Sequence, residues 1–117
     1  MRAILFVVLL ALAGTLLGCA APSSASQELV ETNRVEMPPS YRFDPPAIRV
    51  QVGTTVTWHN GDNFTHDVHL LGNINWHSDP LKPGESVSYT FTQPGEYAYL
   101  CDFHSQDMKG KVIVVGQ

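Results

Sequence analysis

The amino-acid sequence predicts an all-β fold, a sandwich or a barrel of short strands, which follows an N-terminal export signal. Short runs rich in Val, Ile, Thr, Tyr and Phe recur along residues 47–115, and Pro or Gly separates each run from the next. Such regular punctuation is typical of β-sandwiches and barrels. After the export signal, no stretch has the pattern of a helix longer than one turn.

Six strands are predicted between residues 47 and 115. The runs on either side of Gly53 form two consecutive strands, and a later run alternates well, with Val87, Tyr89 and Phe91 on one face. The predicted strands cover residues 47–52, 54–60, 66–71, 85–91, 96–101 and 109–115.

Residues 1–18 are predicted to be a lipoprotein signal peptide. Arg2 precedes an apolar run that is shorter than the ~20 residues of a membrane-spanning helix. The run ends at Leu-Leu-Gly-Cys19, which resembles the lipobox of bacterial lipoproteins and predicts a lipid on Cys19. An ordinary signal peptide, cleaved within residues 20–24, is the alternative. Both interpretations place the protein outside the cytoplasm, in the periplasm or on the outer cell surface.

The rest of the chain is long enough for one domain. Residues 19–29 comprise the lipidated Cys and a flexible tether rich in Ala, Pro and Ser, and residues 30–117 form the compact domain. Removal of the signal peptide leaves six basic residues against eleven acidic ones, a formal charge of −5. This acidity argues against binding to nucleic acid or to anionic lipid, so the lipid on Cys19 is the only expected membrane contact. We expect a monomer.

The loop between the last two predicted strands carries the chemistry. A strand runs into Cys101, two residues separate it from His104, and three more precede Met108. A thiolate, an imidazole and a thioether suit copper in both oxidation states. If Cys19 is lipidated, Cys101 has no disulfide partner and is a metal ligand, an intermolecular crosslink or an inert buried thiol. We interpret Cys101 as a ligand because an inert buried thiol would not explain why His104 and Met108 lie so close to it in the sequence.

A blue-copper site combines two His and one Cys with a long axial Met, so a second His is needed. His66 and His69 are the candidates. Side chains alternate along a strand, so His66 shares a face with the apolar Val68 and Leu70, whereas His69 points the other way. His66 is therefore the predicted ligand.

Two interpretations stay open at this point. Gln106 or Asp107 would compete as the axial ligand, and Met108 would then only fill the core at the start of a strand. The other histidines are interpreted as surface groups, with a second metal site as the alternative for the set His59, His69 and His77.

The mature sequence resembles the cupredoxins of the plastocyanin, pseudoazurin and amicyanin group. Any one matching segment is a weak signal, but the ordered set is specific. The segments are Phe43-Asp-Pro-Pro-Ala-Ile48, Gly53-Thr-Thr-Val-Thr-Trp58-His-Asn60, His66-Asp-Val, Leu81-Lys-Pro-Gly84, Pro94-Gly95-Glu-Tyr97 and Cys101-x₂-His104-x₃-Met108-Lys-Gly110. The resemblance implies a Greek-key β-sandwich with one Cu(I)/Cu(II) ion at one end. It assigns the ligand roles to His66, Cys101, His104 and Met108.

The copper loop departs from the family pattern. The three residues between His104 and Met108 give a spacing between those of amicyanin-like and plastocyanin-like loops, and Phe103 stands where the family often has Pro. Asp67 and Asp102 follow the first His and the Cys, where the family usually has Asn, Ser or Thr hydrogen-bonded to each other. Two carboxylates there would repel unless one holds a proton or another group intervenes. We hypothesise that this pair lowers the copper potential.

These observations predict a single-electron carrier, not an enzyme, that works between a redox donor and a redox acceptor protein. By analogy with the family that the sequence resembles, the edge of His104 would be the electron port, with Phe103 and the turn at 70–72 as its apolar rim. An extracytoplasmic copper chaperone or sequestration protein is the alternative, but such proteins often use Met- or His-rich clusters. An oxidase or nitrite reductase would need a further His-rich copper centre.

Overall fold

The computed structural model describes residues 28–116, together with Gly14 and Gly18. Apart from those two glycines, the predicted signal peptide lies outside the described residues, as do Cys19 and most of the predicted tether. Among the residues that are described, no helix has the length and apolar character needed to cross a membrane.

Residues 28–116 form eight strands in two sheets, which confirms the all-β prediction. The strands are β1 (Val30–Glu31), β2 (Arg34–Met37), β3 (Ala47–Gln51), β4 (Thr55–Asn60), β5 (His69–Leu70), β6 (Ser86–Thr90), β7 (Gly95–Leu100) and β8 (Lys109–Val115). One sheet has the order β1-β3-β8-β7-β5 and the other β2-β4-β6. A single 3₁₀ turn, Asp102–His104, is the helical element of this part of the chain.

The core lies between the sheets because apolar residues alternate along their strands. In β4, Val56 and Trp58 are fully buried while Thr55 is exposed, and in β8 Val112 and Val114 face the same cluster. Full burial of one such aliphatic side chain stabilises the fold by roughly 1.5–3 kcal/mol.

The two strands around Gly53 are consecutive, as predicted, but they do not pair with each other. Strand β3 runs parallel to β8 in one sheet, and β4 runs antiparallel to β6 in the other. Gly53 has a φ of 91°, in the left-handed region that glycine adopts without a steric penalty. The turn at Gly53 therefore carries the chain from one sheet to the other.

The predicted strand over 66–71 is shorter in the structure. Only His69–Leu70 is strand β5. His66 instead forms an isolated bridge with Leu81, in which the two backbones exchange hydrogen bonds of 3.1 and 2.7 Å. The bridge fixes the backbone of His66 although this residue lies outside both sheets.

Gly110 allows close contact within the sheet, between β8 and the paired strand β7. An added Cβ at Gly110 would lie 2.4 Å from a carbon of the Tyr99 ring, nearer than van der Waals contact allows. Tyr99 is buried, so its ring has little room to move away. The Gly that follows the copper loop is thus required by packing.

Candidate metal centre

Backbone hydrogen bonds fix the loop between β7 and β8. The N–H of Cys101 donates to the carbonyl of Met108 at 3.1 Å, which extends the antiparallel pairing by one residue pair. The N–H of Met108 donates to the carbonyl of His104 at 2.9 Å. These bonds close a tight loop that holds all three of its predicted ligands near one end of the sandwich.

The structure brings His66 and Cys101 together from distant parts of the sequence. Nδ1 of His66 lies 3.6 Å from Sγ of Cys101, and both side chains are fully buried. A sulfur and a nitrogen bound to one small metal ion at about 2.3 and 2.0 Å would be about 3.5 Å apart. The observed separation therefore suits two ligands of a single ion.

The prediction that His66 and not His69 faces inward is confirmed. His66, Val68 and Leu70 are all buried, whereas His69 is partly exposed and points to the opposite side. The side chains of residues 66–70 therefore alternate between the two sides as predicted, although only His69–Leu70 form a strand.

A buried carboxylate orients the ring of His66. Nε2 of His66 lies 2.9 Å from Oδ2 of Asp62, and this hydrogen bond holds the pKa of Asp62 below its usual range. An ionised carboxylate only accepts hydrogen bonds, so Nε2 carries the proton. The ring therefore turns its other nitrogen, Nδ1, toward Cys101, where it can bind a metal ion. Such carboxylate–histidine–metal chains fix the ligand tautomer and raise its basicity.

Sequence reasoning missed Asp62. The signal available was its place four residues before His66, in a turn that Asn60 stabilises: the N–H of Asp62 donates to Oδ1 of Asn60 at 3.0 Å. Asn60 also donates to the carbonyls of Phe64 and Leu81 at 2.8 and 2.9 Å. The bonds to Asp62 and Phe64 form a turn, and the bond to Leu81 ties this turn to the residue that bridges His66, so the Asp62 side chain lies next to the His66 ring.

His104 lies beside His66, with the two ring centroids 5.2 Å apart. The ring of Tyr41 packs on that of His104, with the two centroids 4.1 Å apart. Ser40 and Tyr41 both have left-handed backbones, with φ values of 86° and 53°. Non-glycine residues rarely adopt this conformation, which costs of order 1–3 kcal/mol each. The Tyr41 ring at the site is therefore held by a strained turn. The sequence did not predict this contact.

Met108 is fully buried at the end of the loop, whereas Gln106 and Asp107 are exposed. This difference favours Met108 over its two competitors as the axial ligand. Burial by itself also suits a residue that fills the core, so the ligand role of Met108 stays a prediction.

Burial also affects the thiol of Cys101. Loss of contact with water disfavours the thiolate and raises the pKa of Cys101. A metal ion that binds Cys101 must therefore displace a proton from it.

Asp67 and Asp102 meet as predicted, and a third group lies between them. The backbone N–H of Asp102 donates to Oδ1 of Asp67 at 2.7 Å. Nε2 of His77 lies 2.6 Å from Oδ2 of Asp67 and 2.9 Å from Oδ2 of Asp102. The hydrogen bond to Asp67, together with the charge of both carboxylates, raises the pKa of His77. His77 is the intervening group that relieves the repulsion.

The three further histidines do not form one cluster. Nδ1 of His59 lies 2.7 Å from Oε2 of Glu36, where β2 pairs with β4. His69 and His77 instead stack on each other at 4.7 Å and face Asp102. The alternative of a metal site built from all three histidines is therefore wrong with respect to His59.

The predicted apolar rim is only partly present. Phe103 and Leu71 are exposed, but Leu70 is buried and cannot belong to a surface rim. Phe64, which is 54% exposed, packs on Tyr41 at 5.6 Å and was not predicted. Aromatic side chains thus supply most of the apolar surface around His104.

The residues that converge here fit a copper ion. The buried thiol of Cys101 lies beside the imidazole of His66, the ring of His104 packs near that of His66, and Met108 is buried at the end of the same loop. Thiolate, imidazole and thioether are ligand types that suit copper. Together with the two-sheet sandwich, this donor set defines a cupredoxin-like metal protein.

Comparison with known proteins agrees. The family model for copper-binding proteins of the plastocyanin/azurin family matches residues 31–115, and the chain belongs to this family. Its cofactor is therefore copper.

The chain is similar to proteins of different lengths. Amicyanin from Paracoccus denitrificans is 38% identical over 77 residues, which cover 62% of this chain and 58% of that protein. A purple cupredoxin from Nitrosopumilus maritimus has a TM-score of 0.65 and 28% identity, over 70% of this chain and 98% of that chain. A copper-containing nitrite reductase from Thermus scotoductus has a TM-score of 0.64 and 32% identity, over 82% of this chain but 24% of that chain.

Proposed function

We propose that this protein carries single electrons by means of one type 1 copper ion held by His66, Cys101, His104 and Met108. The observation that carries the proposal is the 3.6 Å separation of Cys101 Sγ and His66 Nδ1, both fully buried. When bound there, copper supplies one-electron chemistry by alternating between Cu(I) and Cu(II).

The protein contributes a rigid set of ligands. Cys101 is held by a backbone hydrogen bond at the end of β7, and His66 by its bridge to Leu81 and its bond to Asp62. Ligand groups that cannot rearrange keep one compromise geometry for both oxidation states, which reduces the reorganisation that each transfer requires. This rigidity distinguishes an electron carrier from a protein that must release its copper.

His104 is the proposed electron port. Unlike the other three proposed ligands, it is only partly buried. The exposed Phe103 precedes it in the sequence, and the exposed Tyr41 packs both on its ring and on that of Phe64, so that the port opens onto an aromatic surface. A small apolar surface of this kind suits the brief encounters of redox proteins, whose interfaces are typically below about 1,200 Å². We place the donor and acceptor proteins on this surface, outside the cytoplasm.

The visible absorption spectrum with one equivalent of copper(II) tests the copper centre. We expect an intense thiolate-to-copper band that bleaches on reduction and returns on oxidation. Cys101→Ser should abolish the band, whereas Asp107→Asn, a matched exposed change in the same loop, should keep it. A nearly colourless complex would exclude thiolate ligation and support the chaperone or sequestration alternative.

We further propose that a lipid on Cys19 anchors the protein to the membrane, with residues 19–29 as the tether. The Leu-Leu-Gly-Cys19 sequence supports this. Cys19→Ser should move the mature protein from the membrane fraction to the soluble fraction. A variant that stays bound to the membrane would contradict the lipid anchor but not the copper function.

A further inference from the structure

Three polar side chains outside the proposed copper ligands converge on one point of the surface. Single donor atoms of His69, His77 and Asp102 all lie within 4.8 Å of one another. Nε2 of His77 is 2.9 Å from the Asp102 carboxylate, and Nδ1 of His69 is 3.2 Å from it. Ligands placed tetrahedrally about 2.0 Å from a zinc ion are about 3.3 Å apart. Only small side-chain movements would admit such an ion.

The backbone holds the two imidazoles on the same side. His69 and His77 face each other across an antiparallel bridge. The hydrogen bonds flanking this pair run from Leu70 N–H to Trp76 O at 3.0 Å and from Ser78 N–H to Val68 O at 2.9 Å. This is the non-hydrogen-bonded type of pair, in which opposite side chains approach most closely.

Asp102 is positioned by a separate contact. Its own N–H donates to Oδ1 of the buried Asp67, so its backbone is tied to the segment that precedes His69. Hydrogen bonds therefore fix the backbones that carry all three donors, which favours a preformed ligand site.

The cluster differs from the proposed copper centre in access and in chemistry. Its side chains are 37%, 49% and 42% exposed for His69, His77 and Asp102, so an ion can reach them from solvent. Two imidazoles with a carboxylate are a zinc-type donor set, whereas Mg²⁺ and Ca²⁺ prefer oxygen ligands. The second carboxylate, of Asp67, lies 2.6 Å from His77 Nε2 and adds negative charge.

We propose that His69, His77 and Asp102 form a second metal site, which binds one divalent cation of the zinc type beside the copper centre. The cation takes the place of the proton that His77 Nε2 shares with the carboxylates. The fourth position is left to water, since the site is open to solvent.

Calorimetric titration of Zn²⁺ into the copper(II)-loaded protein tests the proposal. We expect one zinc ion to bind with the thiolate-to-copper band unchanged. His69→Asn and His77→Asn should each weaken zinc binding by at least about tenfold, as loss of an important metal-site group does. His59→Asn removes a histidine that faces Glu36 instead, so it should leave zinc binding unchanged.

The copper band also reports that each variant is folded. Zinc affinity that is equal in the wild type and in both cluster variants would overturn the proposal. So would the absence of saturable binding to the wild type, or zinc binding that occurs only with loss of the copper band.

Discussion

Two histidine–carboxylate groups flank the proposed copper centre, and they differ in burial. On the inner side, His66 and Asp62 are both buried, and one hydrogen bond of 2.9 Å joins them. On the outer side, the half-exposed His77 lies between Asp67 and Asp102. Buried groups interact strongly because water does not screen them, whereas exposed groups stay available to solvent ions.

The comparison teaches that similar chemistry serves different roles at the two positions. The inner group orients a ligand and fixes its proton. The outer group balances two negative charges and offers a place for a cation. Variants of the two groups should separate these roles, and we expect the inner group to have the larger effect on copper affinity and on the copper potential.

The largest effect is expected from Asp62→Ala. The substitution leaves the buried Nε2–H of His66 without its acceptor, which costs about 1–3 kcal/mol of folding free energy. Copper affinity should also fall by about 10–100-fold, as it does when a group that orients a metal ligand is lost. Urea unfolding of the copper-free protein and competition with a copper chelator measure the two quantities.

Asp107→Ala is the matched control, since it removes an exposed carboxylate from the copper loop. It should change neither quantity appreciably. Equal behaviour of the Asp62 and Asp107 variants would show that the inner hydrogen bond has no special role.

A smaller effect is expected on the copper potential. Asp62→Asn keeps a hydrogen-bond acceptor for His66 but removes the negative charge. His66 then donates less electron density to the copper ion, and Cu(I) is favoured over Cu(II). The potential should rise by on the order of 60 mV, equivalent to a tenfold change in relative affinity for the two oxidation states. Voltammetry of the immobilised protein measures it.

The double variant with Asp67→Asn and Asp102→Ser should raise the potential less, because His77 already compensates part of the outer charge. An unchanged potential would contradict the hypothesis that this carboxylate pair lowers it. A rise larger than that of Asp62→Asn would reverse the ranking of the inner and outer groups.

The features of the site that depend on local sequence patterns could be predicted from the sequence. Alternation placed His66 on the inner face and His69 on the outer one, and the short spacing from Cys101 to Met108 predicted a single loop. Asp62 was not predictable in this way. Its contact with His66 depends on how the 60–66 segment folds back, which no periodicity reveals.

Contacts between residues far apart in the sequence explain why the roles of Tyr41 and His77 were not predicted. Tyr41 and His104 are far apart in the sequence, yet their rings are in contact. The turn that brings Tyr41 there has positive φ values at Ser40 and Tyr41, and because neither residue is a glycine, the sequence gives no sign of this turn. His77 reaches Asp67 and Asp102 because a bridge aligns it with His69. The sequence shows that Asp67 and Asp102 need an intervening group, but only the fold identifies it.

The smallest expected effect is a pH dependence of the outer group. His77 has a raised pKa in the folded protein because Asp67 accepts its hydrogen bond. Its contribution to stability is therefore fully present below the unfolded pKa of about 6.5 and is lost as the pH rises through the folded value. The decrease in Tm caused by His77→Asn should accordingly be larger at about pH 6 than at about pH 9, with Asn73→Ala as the control in the preceding loop. A decrease that is the same at both pH values would mean that His77 stabilises the fold by packing, and that its charge does not hold the two carboxylates together.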